Sequence, residues 1–164
     1  REQRAILHHW TKAHVWNVIR TILNFNPEGK KTNLALPLEY LLKILKRKAV
    51  VFLISDFQAE NYERSLKLAA QKHSVIAITI TDPREITLPD IGLLQLQDAE
   101  TGQIVLVDTR VHNLPMRFAE LATAEHARQK RFFHSIGVDI IEIQTDRSLV
   151  NPIIRYFKIK ERKR

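Results

Sequence analysis

A chain of 164 residues, 45% hydrophobic and 27% charged with a net charge of +8, has the length and balance of one globular domain around a single core. No apolar run approaches the ~20 residues of a membrane-spanning helix, and Arg1-Glu2-Gln3-Arg4 opens no signal peptide, so a soluble, cytoplasmic chain is expected. The absence of cysteine excludes disulfides and thiolate chemistry and fits a reducing compartment.

From Ala13 to Phe25, apolar residues recur at Val15, Val18, Ile19, Ile22 and Leu23, a helical spacing that predicts an amphipathic helix lying on a core and ended by Asn26-Pro27-Glu28-Gly29. Thr32 or Asn33 can cap a second helix through Leu34, Leu38, Leu41, Leu42 and Leu45, with Pro37 in its first turn, where a missing N–H is tolerated. Lys46-Arg47-Lys48 then lead into AVVFLISDF, Ala49 to Phe57, whose five consecutive apolar residues Val50 to Ile54 stop at Ser55-Asp56. So short a β-branched run predicts a strand buried on both faces, as in parallel sheets. Asp56 is thereby expected at the C-terminal end of a buried strand, where open α/β sheets bind ligands. The competing reading makes it the N-cap of a helix starting near Gln58.

Tyr62, Leu66, Ala69 and Ala70 mark a third helix and SVIAITI, Ser74 to Ile80, a second strand, together a right-handed βαβ unit with parallel strands. Asp82-Pro83 breaks the strand and Leu88-Pro89-Asp90-Ile91-Gly92 continues as loop. Leu93 to Gln97 and Gln103 to Asp108 alternate around Asp98-Ala99-Glu100-Thr101-Gly102, a β-hairpin with a five-residue turn. A long helix from Leu114 to Ser135 ends at Gly137, a left-handed cap. Val138 to Ile143 is a further strand near an edge, and Asn151-Pro152 opens a last helix expected to carry Ile153, Ile154 and Phe157 inward.

Cations cluster at Lys43 to Lys48, at Arg128 to Arg131 and in the tail from Lys158 to Arg164. They suit an acidic protein partner. Without interleaved aromatics or a binding motif, nucleic acid is not expected. His8 and His9 stand six and five residues from His14, spacings that put no two imidazoles on one helix face. With four glycines in all, there is no phosphate loop, dinucleotide fingerprint or nucleophile elbow. Thr32 and Asp56 remain, hard oxygen donors of the kind Mg²⁺ accepts with several retained waters.

Lys31-Thr32-Asn33-Leu34, KRKAVVFLISDF, TDPRE, LPDIGLLQLQDAETG and VDT resemble the C-terminal half of the bacterial family called domain of unknown function 58. The resemblance implies an α/β, von Willebrand factor A-like (Rossmann-like) parallel sheet with flanking helices and an appended hairpin. It implies that residues 1–164 form a single half-domain, the C-terminal part of a longer protein with its N-terminal strands missing. It also implies a neighbouring MoxR-type AAA+ ATPase and a metal-ion-dependent adhesion site, to which Thr32 and Asp56 would each contribute one loop. The Asp-x-Ser-x-Ser loop of such a site is absent from these 164 residues. Tight Mg²⁺ binding by the chain alone is therefore not expected.

The leading expectation is a non-enzymatic protein-interaction module, Mg²⁺-dependent in the full protein and linked to the ATPase in assembly or maturation of other proteins. Ser55, Asp82, Arg84 and Glu85 join it as candidate binding residues, and no residue is assigned a catalytic role. The alternatives are a metal-independent scaffold for an acidic protein, with Asp56 as a helix cap, and a hydrolase using Asp56 with Asp82 or Glu85. A homo-oligomer, most simply a two-fold dimer, is expected because the central strand would lack a neighbour on one side.

Overall fold

The computed structural model describes residues 12–26, 32–97 and 102–162, and the chain divides into two units, Arg1–Thr32 and Asn33–Arg164. In the first unit the helix predicted from the apolar spacing forms as α1, Lys12–Leu23. Val15, Ile19, Ile22 and Leu23 are nevertheless exposed and Val18 is half-buried, so the expected packing on a core is not seen among the described residues. Periodicity is enough to form a helix, whereas burying its stripe requires a surface to bury it against. The segment around Ile6, Leu7 and Trp10, with His8 and His9, lies outside the described residues.

The second unit runs α2 (Ala35–Ile44), β1 (Val50–Ser55), α3 (Glu63–Lys72), β2 (Ser74–Thr81), a 3₁₀ turn (Pro83–Glu85), β3 (Leu93–Gln97), β4 (Ile104–Asp108), α4 (Leu114–Ser135), β5 (Asp139–Gln144) and α5 (Val150–Glu161). Asn33 is the residue that caps α2, its Oδ1 accepting from the N–H groups of Ala35 at 3.0 Å and Leu36 at 3.2 Å. Two of the four orphan amides of the first turn are satisfied in this way, and Pro37 contributes none. Gly137 closes α4 at φ +73°, the left-handed cap that its sequence position predicted.

β1, β2 and β5 form one parallel sheet in the order β1-β2-β5. The register sets Phe52 beside Ile76, Ile54 beside Ile78, Ile78 beside Ile141 and Ile80 beside Ile143. β3 and β4 pair antiparallel with each other. Thr109 fastens the base of this hairpin: its buried Oγ1 accepts from Ile91 N and Gly92 N and donates to Gly92 O at 2.9 Å.

Each face of the parallel sheet has its own apolar cluster. On one face Val51, Val75 and Ala77, with Leu53 and Ile140, meet Leu38 of α2, Leu66 and Ala69 of α3 and Phe133 of α4. On the other, Ile76, Ile78, Ile141 and Ile143 meet Ile153 and Tyr156 of α5. Tyr156 donates its hydroxyl to Asp139 Oδ2 at 2.8 Å, and Lys160 reaches the same oxygen at 2.6 Å; together they pin the helix over β5.

Two expectations are corrected here. β1 is not buried on both faces: Val51 is buried, but Val50, Phe52 and Ile54 are 61%, 46% and 60% exposed. The strand lies at the edge of the described sheet, where Phe157 of α5 meets it, its ring centroid 6.3 Å from that of Phe52. Nor do Ile154 and Phe157 point inward. Both are exposed, and Ile153 and Tyr156 take the inward positions.

Candidate functional site

The chain leaves β1 at Ser55 and does not enter a helix until Glu63. Between them it makes a loop in which Phe57 and Asn61 have φ +58° and +61°, a backbone region that non-glycine residues occupy only when the surroundings enforce it. For Phe57 the surroundings are visible. Its buried ring meets Phe133 edge-on at 5.0 Å and Tyr62 at 5.9 Å, and its carbonyl accepts from Gln129 Nε2 at 3.5 Å.

Asp56 therefore caps no helix, contrary to one of the two readings of its position. Its Oδ1 accepts from Gln58 N at 3.2 Å and from the Ser55 hydroxyl at 3.3 Å, while Ser55 Oγ accepts from Phe57 N at 3.0 Å. These are the local side-chain bonds of Asx and Ser turns. They stabilise the turn while leaving Asp56 exposed.

A cleft of about 570 Å³ opens at this end of the sheet, walled by Asp56, Gln58, Thr81 and Glu85 on one side and Glu125 and Gln129 of α4 on the other. Gln58 bridges the first wall, its Nε2 donating to Glu85 Oε2 at 3.3 Å. Of the candidate residues, Asp56 and Glu85 are brought together here, whereas Ser55, Asp82 and Arg84 do not line the cleft. Asp82 instead spends Oδ1 on Arg84 N at 2.9 Å, capping the Pro83–Glu85 turn. Of the two carboxylate pairs considered for a hydrolase, Asp56 with Glu85 shares a cavity. Thr32 belongs to the first unit and Asp56 to the second.

The electrostatics of the cleft are those of an acidic rim. Glu125 is held below the usual carboxylate range by hydrogen bonds from Arg128, at 2.6 and 2.9 Å. Burial, followed by the charge of Glu63, pushes the Tyr62 hydroxyl up. Glu125 and Gln129 escaped the sequence reading. The available signal was the polar run Glu125, His126, Gln129 at helical spacing on α4, but nothing in the sequence says which loop that face meets.

A divalent cation of the Mg²⁺ kind takes about six oxygen ligands. Among the described residues no three His, Asp or Glu side chains gather into a group that could hold a metal, and Asp56 offers a single carboxylate already engaged through one oxygen. The described donor set does not by itself fit such an ion. No helix among the described residues is long and apolar enough to cross a membrane.

Comparison with known proteins gives relatives without assigned activities. The sequence profile of the family described as "Protein of unknown function DUF58" matches residues 2–128. Uncharacterized protein MAV169 of Mycobacterium avium is 36% identical over 139 residues, covering 83% of this chain and 80% of that protein. Uncharacterized proteins Mb1516 of Mycobacterium bovis and Rv1480 of Mycobacterium tuberculosis are each 31% identical over 156 residues, 92% of this chain. The chain spans about half of those two, the matched part being 48% of each. No solved structure matches it.

Proposed function

The chain belongs to the family described as protein of unknown function DUF58, and on that premise we propose that it is a non-enzymatic protein-interaction module whose working surface is the face of β1 that carries its exposed apolar side chains. The observation that carries the reading is the exposure of Val50, Phe52 and Ile54 on one face of an edge strand, alongside exposed Ile80 of β2 and Phe157 of α5. Apolar side chains grouped in this way mark a binding surface, because fully burying each would contribute about 1.5–3 kcal/mol.

On the resemblance alone, the proposal extends to a von Willebrand factor A-like fold for the whole domain, a cytoplasmic setting, and a MoxR-type AAA+ ATPase as partner in assembly or maturation of other proteins. A Mg²⁺ at the Asp56 loop belongs to the longer parent proteins in this reading. Biolayer interferometry against a purified MoxR-type ATPase, with and without Mg²⁺, tests it. Binding is expected for the wild-type chain and lost in the double variant Val50→Lys/Ile54→Lys, which alters only exposed side chains. Absence of binding in both conditions, or binding indifferent to the double variant, overturns the proposal.

A further inference from the structure

The charges of the second unit are sorted by the two ends of its parallel sheet. At the C-terminal end the cleft described above is walled by Asp56, Glu60, Glu63, Glu85 and Glu125, against Arg128 and His126. The N-terminal end gathers cations from three separate stretches of sequence. Lys46, Arg47 and Lys48 lead into β1, and Lys72 ends α3 just before β2. The register that sets Val50 beside Ser74 makes these two approaches neighbours, joined where Ser74 N–H donates to Ala49 O at 2.8 Å. α5 runs back toward the same end, because Lys160 in its last turn reaches Asp139 at the start of β5 at 2.6 Å, and Lys160 and Glu161 share a cleft with Val50 and Ser74. Lys158 and Arg162 arrive with it.

All six cations are exposed, and none enters an ion pair among the described residues. The carboxylate of Asp139, close by, is already engaged by Lys160 and Tyr156. An exposed apolar patch depends on what folds against it, whereas unpaired cations stay in water until a counter-charge meets them, because desolvating them is costly. Cations are also favoured at helix C-termini, but Lys46, Arg47 and Lys48 belong to no helix. The cluster is therefore a charged surface of the folded chain in its own right.

We infer that this end of the sheet docks on an anionic lipid membrane and so turns the acidic cleft at the opposite end away from the bilayer. Most of the six are lysines, point charges on flexible stems that follow a diffuse negative surface, where the arginine fork picks out single phosphates or carboxylates. The clefts of about 380, 540, 550 and 570 Å³ are walled by other residues, so the six face outward rather than into a groove that would seat a peptide or nucleic-acid strand. Ile44 and Ile159, both exposed, stand among the cations, and aliphatic side chains entering the headgroup layer reinforce electrostatic attraction to anionic lipid. Each Lys or Arg held near such a surface strengthens binding about five-fold.

Co-sedimentation with lipid vesicles tests this. The wild-type chain is expected to pellet with phosphatidylcholine vesicles containing about 30% phosphatidylglycerol and not with phosphatidylcholine alone. Lys46→Glu/Lys48→Glu is expected to lose about 30-fold or more of that affinity. Arg117→Glu/Arg147→Glu removes the same charge from the first turns of α4 and the loop after β5, toward the other end of the sheet. It is expected to stay within about three-fold of wild type, since charges beyond the screening length contribute little. Both variants change only exposed side chains. In ~1 M NaCl, where the screening length falls to about 3 Å, binding is expected to be lost.

Equal losses in the two variants would mean that net charge alone drives the contact and overturn the inference, as would a wild-type chain that pellets with neither vesicle or equally with both. An oligoglutamate peptide or an oligothymidylate that strips the chain from the vesicles at equal charge concentration also overturns it, and assigns the surface to an acidic protein or to nucleic acid. The assay contains no protein partner, so each result stands apart from the ATPase reading of β1.

Discussion

The two faces of the parallel sheet are built from alternate residues of the same strands, yet they end in different states. One is closed by α2, α3 and α4, so that Val51, Val75 and Ala77 are buried in the cluster that holds Leu38, Leu66 and Phe133. Among the described residues the other receives α5, which covers Ile76, Ile78, Ile141 and Ile143 but leaves Val50, Phe52 and Ile54 largely in solvent. Hydrophobicity drives burial only where the chain supplies a cover. What one strand presents on its two sides can therefore serve stability on one and recognition on the other.

The largest expected effect tests the closed face. Phe133 is fully buried and contacts both Phe57 and Phe132, so Phe133→Ala is expected to cost about 3–5 kcal/mol in urea unfolding through lost contacts and the cavity left behind. A cost near that of a surface change would mean that this face is not the core. Next comes a site belonging to neither face. Gly102 sits at φ +71° with open space where a Cβ would go, so Gly102→Val is expected to lose about 1–2 kcal/mol through backbone strain alone. An unchanged midpoint would show that the hairpin end is not held in that conformation.

The covered part of the second face is probed by Tyr156→Phe, which keeps the ring and removes the bond to Asp139. A loss of about 1 kcal/mol is expected. Burial first, then the hydrogen bond and charge of Asp139, push the Tyr156 hydroxyl well above its ordinary value. The folded state thus holds that proton more tightly than the unfolded one. The resulting stability is complete below about pH 10 and is lost as pH rises above it toward the folded value. Tyr156→Phe should flatten that alkaline decline, and an unaltered decline would detach the hydroxyl from α5's anchorage. The smallest effect belongs to the uncovered part. In samples dilute enough to be monomeric, Ile54→Thr is expected to change unfolding by under about 0.5 kcal/mol, and a loss like that of Phe133→Ala would erase the distinction between the faces.

Most of the secondary structure was legible because its signals are local: the helical spacing of α2 and α3, the apolar runs of β1 and β2, the alternation of β3 and β4, the glycine after α4. The different fates of VVFLI and SVIAI were not. The two runs look alike, and only the arrival of β5 and α5, encoded far downstream, makes β2 central and leaves β1 at an edge. Asp56 was misread as a possible cap because its sequence neighbourhood suits one. The left-handed turn at Phe57 is a tertiary demand, set by where Phe133 places the ring's pocket. Glu85 could be nominated as a neighbour of Asp82-Pro83, but Glu125 and Gln129 join the cleft only through the packing of α4.

The order of the strands also bears on how the chain finds its fold. β1 and β2 are separated by one loop and the 10-residue α3, so their pairing closes a short stretch of chain, while β5 reaches β2 only past the hairpin and the 22-residue α4. Closing the longer loop costs more entropy before any contact repays it. The β1–α3–β2 unit is accordingly the expected nucleus, with β5 and α5 docking last. Until they dock, Ile76 and Ile78, which finish buried, lie as bare as Phe52 and Ile54 remain. During that interval a newly made chain is most exposed to aggregation, through a central strand that shows none of this in the finished fold.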